Sequence, residues 1–385
     1  MSAVVVFIIF AICLVIAIPI SISLGIVAVL PGAFDASFTA SAGYVIRSMV
    51  GGIDSFPLLA VPMFVLAGIL MAHGKISEKL FDVFVYFLGN KRAGIPCAVI
   101  ITCLFYGAIS GSAPATVAAV GSMTIPLLIE LGYEKDFSTA IVAVAGGLGV
   151  IIPPSIPFIM YAMATGESVS DLFLAGIVPG MMISALLIFY AYYYCRRHGE
   201  DREKIQAKMA QLKTKGFVNI LKESIWALLS PVIVLGCIYS GVASPTEAAV
   251  ISVFYSLFVS LFIYRSIKVK QIWGIMVEAM KTYAPILFIL ATSTAFSRVL
   301  TLMQVPQDVS AWIMTHFSNE IVLLLVINVV LLIVGMVMDT TPAILILSPI
   351  LLPIVEHVGM NPIHFGVMVI VNLAVGFVTI IQIGR

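Results

Sequence analysis

The sequence predicts an all-α polytopic membrane protein made of two inverted-topology repeats, with re-entrant hairpins and broken helices. Three observations carry that expectation. The chain is 61% hydrophobic and only 10% charged. Its lysines and arginines fall in alternate connecting segments. Segments interrupted by glycine and proline recur at matching places in the two halves.

Soluble domains carry roughly a quarter charged residues, so no polar face is available to cover a core of this size. Apolar runs long enough for spanning helices, about 20 residues each, recur from residue 3 almost to the end. The net charge of +1 argues against a nucleic-acid partner. Cys13, Cys97, Cys103, Cys195 and Cys237 sit in or beside apolar runs without paired spacing, so they read as small core residues. Met1 to Leu30 lacks a basic leader and a small-residue cleavage site, and reads as a first spanning helix.

Seventeen of the twenty Lys and Arg residues lie in 74–94, 132–137, 196–224 and 265–282. The connections 165–171, 242–246, 304–319 and 356–362 have none, and 31–56 has only Arg47. The positive-inside rule makes the first set cytoplasmic and the second periplasmic. Helix 3–30 then runs out and 57–73 returns. Residues 95–132 hold two apolar halves split by Ser110-Gly-Ser-Ala-Pro114. Both flanks lie inside, so the segment is expected to be a re-entrant hairpin. Helix 138–164 goes out, 172–195 returns, 225–241 goes out, 247–264 returns and 283–303 goes out. The second split segment, 320–355, is a hairpin entering from outside.

The halves resemble one another. Val65-Leu66-Ala67 matches Ile289-Leu290-Ala291 at an offset of 224, and Ile125-Pro126 matches Leu352-Pro353 at 227, as Gly149 matches Gly376. Stretches 75–90 and 304–318 are amphipathic and correspond, like interfacial arms. Helix 57–73 ends inside while its match 283–303 ends outside, so the repeats are inverted. The expected organisation is scaffold helices and arm over 1–94, then a first hairpin and broken helix over 95–171. Connecting helices with the basic loop follow over 172–246, a second scaffold and arm over 247–319, and a second hairpin and incomplete broken helix over 320–385. Paired, interrupted segments in inverted repeats point to a transporter whose site lies at the midplane.

Three motifs can bind something. The first tip, from Gly107 through Ser110 and Ser112 to Pro114, offers free carbonyls and two hydroxyls, a donor set for a small hard cation; small-residue helix packing is the competing reading. The second, Gly146 to Pro157, has three glycines and three prolines in twelve residues and cannot be a continuous helix. A break there exposes carbonyls at one half-end and N–H groups at the other, fit for Na⁺ and an anionic substrate, with Ser155 on the substrate path. The third is the tip Gly335 to Pro342. Asp339 there is an acidic residue inside an apolar span, either on the substrate path or capping the second half-helix. Arg298, the one basic residue inside a span, either attracts an anionic solute or pairs with a carboxylate. Glu247, three residues after Ser244, fits a helix cap. No metal-ligand spacing among the histidines and no phosphate-binding glycine loop appears, so neither an enzyme nor ATP hydrolysis is expected.

On these residues the chain resembles the large membrane subunit of the tripartite ATP-independent periplasmic (TRAP) transporters. The carrying motifs are FPLLAVPMFVLAG at 56–68, SGSAPA at 110–115, GVIIPPSIPF at 149–158, LFLAGIVPGMM at 172–182 and SPTEAA at 244–249, where Ser244 replaces the usual Thr. The resemblance implies an elevator-type transporter working with a small four-helix membrane subunit and a periplasmic solute-binding protein that delivers an organic acid. It implies Na⁺ as the coupling ion and no other cofactor. One sodium site would use Ser110, Ser112, Gly149 and Pro153, and the other Gly335, Gly376 and Thr379. A stand-alone Na⁺/dicarboxylate transporter and an ion channel are the rival expectations.

The family's second broken helix continues with a PPxG-like stretch after the threonine, whereas here Ile380 to Arg385 follow and the chain stops. The repeat places the counterpart of helix 172–195 at about 399–422. The reading is therefore of a truncated product, inactive or poorly stable, because a helix ending in hydrocarbon leaves carbonyls without partners.

Overall fold

The computed structural model describes residues 3–35, 38–214, 216–316 and 319–379. Within them the regular structure is helical: α1 (Ala3–Val15), α2 (Ile20–Phe34), α3 (Ala42–Ile53), α4 (Ala60–His73), α5 (Ile76–Leu88), α6 (Gly94–Ser110), α7 (Ala113–Glu130), α8 (Lys135–Gly146) and α9 (Ile156–Thr165). There follow α10 (Val169–His198), α11 (Arg202–Thr214), α12 (Phe217–Tyr239), α13 (Pro245–Phe258), α14 (Val269–Leu302), α15 (Val305–His316), α16 (Glu320–Val337), α17 (Thr340–His357) and α18 (Pro362–Phe377). Among the described residues eight helices are long and apolar enough to cross a membrane. The all-α, polytopic expectation holds.

Several elements differ from the sequence reading. The first span is two helices, α1 and α2, interrupted where Ala17 takes φ 63° just before Pro19. Proline has no N–H to continue the ladder and restricts the residue before it. The connection 31–56 contains α3, whose Ser41 hydroxyl accepts the Tyr44 N–H at 3.3 Å. The basic segments 196–224 and 265–282 are largely helical, as α11, the start of α12 and the first part of α14. At 1.5 Å per residue α14 is about 50 Å long, more than the roughly 30 Å of hydrocarbon. Glu247 does cap: with Ser244 it forms a reciprocal capping box at the start of α13.

The chain divides into two compact units. One comprises 1–59, 157–172 and 281–385; the other comprises 60–156 and 173–280. In the first unit, α16 packs along α18 and joins it by Asn372 Nδ2 donating to Asn328 Oδ1 at 2.7 Å. Interhelical amide bonds of this kind serve as polar glue between apolar helices. The Tyr161 hydroxyl donates to the Pro362 carbonyl at 2.7 Å and fastens α9 to the start of α18. The later part of α14 lies against α1 through Phe296, stacked on Phe10 and edge-on to Phe7.

The second unit holds hairpin α6–α7, the break after α8, three of the basic connections and the fourth as far as Met280. Its apolar core runs through Ile100, Cys103, Tyr106, Val120, Leu128, Val142 and Leu148. Three of the basic connections bond to one another, and the fourth, 265–282, bonds to His73 at the end of α4. Lys79 pairs with Glu223, His73 Nε2 meets Glu278 Oε2 at 2.9 Å, and Arg202 donates to the Asn90 carbonyl at 3.3 Å. Segments that the positive-inside rule puts on one side of a membrane are thus found together. At their centre Glu200, whose side chain is 2% exposed, accepts the Ala93 N–H at 3.0 Å, the Tyr133 hydroxyl at 2.7 Å and the Arg202 guanidinium at 3.1 Å. Burial, and then the Glu200 carboxylate, push the Tyr133 phenol pKa far up, so it stays a donor at physiological pH. This latch ties the entrance of α6, the α7–α8 turn and the end of α10.

Glu200→Ala should lower stability by roughly 2–4 kcal/mol, because two buried donors lose their acceptor. Glu200→Gln should cost less. Equal melting temperatures for Glu200→Ala and the parent in detergent would show that the latch is dispensable.

Candidate functional site

Hairpin α6–α7 and the break after α8 form one compact arrangement. Helix α6 ends at Ser110, and Gly111 turns the chain at φ 62°, donating its N–H to the Gly107 carbonyl at 2.9 Å. Ser112 is extended (φ −140°, ψ 129°) and starts α7. On the other side, α8 tightens into a 3-10 turn over Gly147–Val150 and then runs irregularly to Ser155, because Pro153, Pro154 and Pro157 deny it amide donors. The two irregular stretches satisfy each other. The Ile156 N–H donates to the Gly111 carbonyl at 3.2 Å. Ser155, fully buried, donates its hydroxyl to the Val150 carbonyl at 2.6 Å, so it braces the break from within.

What sets the approach is a glycine on each side. A Cβ at Gly107 would stand 2.6 Å from the Gly149 Cα, so neither helix could come this close with side chains there. At the crossing, a Cβ at Gly149 would fall 2.6 Å from the Thr116 hydroxyl and 2.8 Å from the Ser112 carbonyl oxygen. Oxygens therefore crowd the face of Gly149. The Ser110 hydroxyl lies 3.0 Å from that of Thr116, and the Thr116 hydroxyl donates to the Ser112 carbonyl at 2.8 Å. The Ser112 hydroxyl forms no side-chain cap bond to α7. The structure thus brings Ser110, Ser112 and Gly149 together, with Pro153 buried in the adjoining break. It adds Thr116, which sequence reasoning missed, and gives Gly107, read there as the start of the tip, a packing role.

The second hairpin repeats the crossing within the first unit. A Cβ at Gly335 would lie 3.1 Å from the Gly376 Cα, and one at Gly376 would lie 2.8 Å from the Gly335 Cα. Gly107 and Gly335 are 228 apart, as are Ser112 and Thr340, and Pro114 and Pro342; Gly149 and Gly376 are 227 apart. That common offset was the signal for Gly107. The chemistry of the tips differs. Asp339 caps α17, accepting the Thr340 N–H at 2.6 Å and the Thr340 hydroxyl at 3.2 Å. Thr379 donates both its N–H (3.1 Å) and its hydroxyl (2.6 Å) to the Gly376 carbonyl. The expected counterpart of the first proline pair, at Ile380 and Ile381, lies outside the described residues.

Arg298 is not part of either crossing. It lines a cavity of about 500 Å³ in the first unit, with Gly51, Ser55, Glu167, Thr294 and Ser297 among its walls. A Cβ at Gly51 would be 3.7 Å from the guanidinium, so α3 leaves room for that group. Among the described residues no carboxylate lies within ion-pair distance of Arg298. The cavity walls thus combine the Arg298 guanidinium with the Glu167 carboxylate and the hydroxyls of Ser55, Thr294 and Ser297, of which Thr294 donates to the Leu290 carbonyl at 2.9 Å.

The family model described as "Tripartite ATP-independent periplasmic transporter, DctM component" matches residues 7–379. The chain belongs to that family. It is accordingly a transporter permease component and not an enzyme. This DctM-family chain is 43% identical over 370 residues to the isethionate TRAP transporter permease protein DctMQ of Oleidesulfovibrio alaskensis, covering 96% of this chain but 57% of the relative. It is 39% identical to the C4-dicarboxylate TRAP transporter large permease protein DctM of Pseudomonas aeruginosa, covering 85% of this chain and 75% of that one. It is 38% identical to the 2,3-diketo-L-gulonate TRAP transporter large permease protein YiaN of Escherichia coli, covering 86% and 77%. In fold it is similar to the YdaH transporter of Alcanivorax borkumensis, at a TM-score of 0.61 and 15% identity, over 97% of this chain and 88% of that one.

Gly107→Ala should destabilise the DctM-family chain by roughly 1–3 kcal/mol, the cost of overpacking against backbone. Gly236→Ala is the control, since nothing lies within 4 Å of a Cβ there. Indistinguishable melting of the two variants would refute a packing role for the Gly107–Gly149 crossing.

Proposed function

We propose that this chain is the membrane transport subunit of a sodium-coupled, binding-protein-dependent importer of small organic acids in a bacterial inner membrane. The observation that carries the reading is the first crossing, where the Ser110 hydroxyl, the Ser112 carbonyl and the Thr116 hydroxyl meet over Gly149. All of these donors are neutral oxygens, which suit a hard alkali cation. Ser110, Ser112, Gly149 and Pro153 would hold one sodium ion, and Gly335, Gly376 and Thr379 a second. Bound there, the ion would supply a charge whose entry ties closure of the tip to the sodium gradient. The protein's own part is to hold the oxygens together without water: Ser110 and Thr116 are fully buried.

The cavity around Arg298 supports an anionic substrate. A guanidinium without an ion pair can form bidentate hydrogen bonds with a carboxylate or sulfonate, and the Ser297 hydroxyl of the same cavity would add a contact. The names of the relatives speak of isethionate, C4-dicarboxylate and 2,3-diketo-L-gulonate, all anions at neutral pH. The family's description names a tripartite system. The partners we assign are accordingly a small four-helix membrane subunit and a periplasmic solute-binding protein. Asp339 and Ser155 act by shape on the substrate path, the first capping α17 and the second bracing the break.

With the full-length permease and its partners in vesicles, uptake should require a sodium gradient and ignore ATP. Undiminished uptake with potassium replacing sodium would remove the coupling assignment. Replacing both Ser110 and Ser112 by alanine should raise the sodium concentration for half-maximal uptake several-fold, each lost ligand being worth roughly 0.5–1.5 kcal/mol. Arg298→Met should instead abolish substrate transport while sodium still raises the melting temperature. A normal KM for the organic acid in Arg298→Met would exclude the guanidinium from the substrate site.

A further inference from the structure

We propose that Thr116 is a positioning residue for the cation at the first crossing: it accepts the Ser110 hydroxyl proton and so presents the oxygen of Ser110 as a ligand. The proposal rests on the sodium reading above. The argument is one of counting protons. The Ser112 carbonyl can only accept, and the Thr116 hydroxyl is its close partner at 2.8 Å. The one proton of Thr116 is thereby committed. The 3.0 Å contact between the Thr116 and Ser110 hydroxyls must then run the other way, with Ser110 donating. The other acceptor open to Ser110 is the same Ser112 carbonyl, at 3.4 Å, which is a longer bond.

A hydroxyl ligates a cation through its lone pairs, so its proton has to point elsewhere. Thr116 supplies that elsewhere. It is fully buried, so no bulk water competes for the role. Its place is dictated by the helix: four residues after Ser112, its side chain returns over the first turn of α7 and reaches the carbonyl at the N-cap. The close fit to Gly149 fixes the rotamer, since nothing larger than hydrogen on that glycine would leave the hydroxyl where it is. The second crossing has no such relay. At the offset of 228, Ile344 stands where Thr116 does and Met338 where Ser110 does.

The test compares Thr116→Val, Thr116→Ala and Thr116→Ser with the Ser110→Ala/Ser112→Ala double variant, in the full-length permease with its partners. Two quantities are read: the sodium concentration giving half-maximal uptake, and the one giving half of the sodium-induced rise in melting temperature of the purified protein. Melting in potassium alone reports whether each variant folds. Valine and alanine should raise both sodium concentrations about 3- to 10-fold, the size of one hydrogen bond. Serine, which keeps the acceptor, should stay within about twofold of the parent. Parent values for valine or alanine beside a shifted double variant would overturn the role of Thr116 and leave the sodium reading standing. An equal shift with serine would also overturn it, because the methyl group and not the hydroxyl would then matter. If sodium affects neither readout in the parent, the sodium reading fails and this proposal with it.

Discussion

A chain that leaves the helical path inside an apolar medium must find partners for its free amides and carbonyls within itself. That requirement organises the whole of the second unit. The tip of hairpin α6–α7 and the break after α8 are both irregular: the Gly111 carbonyl of the tip accepts the first amide of α9, and within the break Ser155 donates its hydroxyl to the Val150 carbonyl. Contact this close is possible because Gly107 and Gly149 let two backbones touch. The oxygens gathered at the crossing are the ones that the proposed sodium site would use.

The two crossings show how much chemistry can change on one backbone plan. Glycine meets glycine in both, and proline stands just inside the second half-helix in both. In the first, the residue that starts the second half-helix leaves its hydroxyl uncommitted; in the second, Asp339 spends its carboxylate on the helix terminus. A carboxylate at a helix N-terminus is stabilised by the dipole and by the amides it accepts. The hydroxyls of Ser110 and Thr116 have the apolar Met338 and Ile344 as their counterparts in the second crossing, whose own hydroxyls, on Thr340 and Thr379, bond locally.

The elements that break rules were legible in the sequence. Three prolines among three glycines allow no continuous helix, and a basic residue census sorts the loops by side. Thr116 was not legible, because a threonine one turn into an apolar helix looks like any β-branched wall residue until its distance to Ser110 is known. Glu200 looked like one more charge in a charged loop; only the fold puts an amide and a phenol against it. The break between α1 and α2 was hidden by continuous hydrophobicity, since apolar character says nothing about where the ladder fails. Arg298 was visible as an anomaly, but its lack of a carboxylate partner is a fact of packing.

The latch at Glu200 also has a history. Ribosomes deliver a chain from its N-terminus, and early segments arrange themselves before later ones exist. Ala93 and Tyr133, which bracket the first hairpin, are made well before the carboxylate that joins them. Until α10 and the residues after it have been made, neither donor has this acceptor, so the last link between α6, the α7–α8 turn and α10 can form only after all three exist.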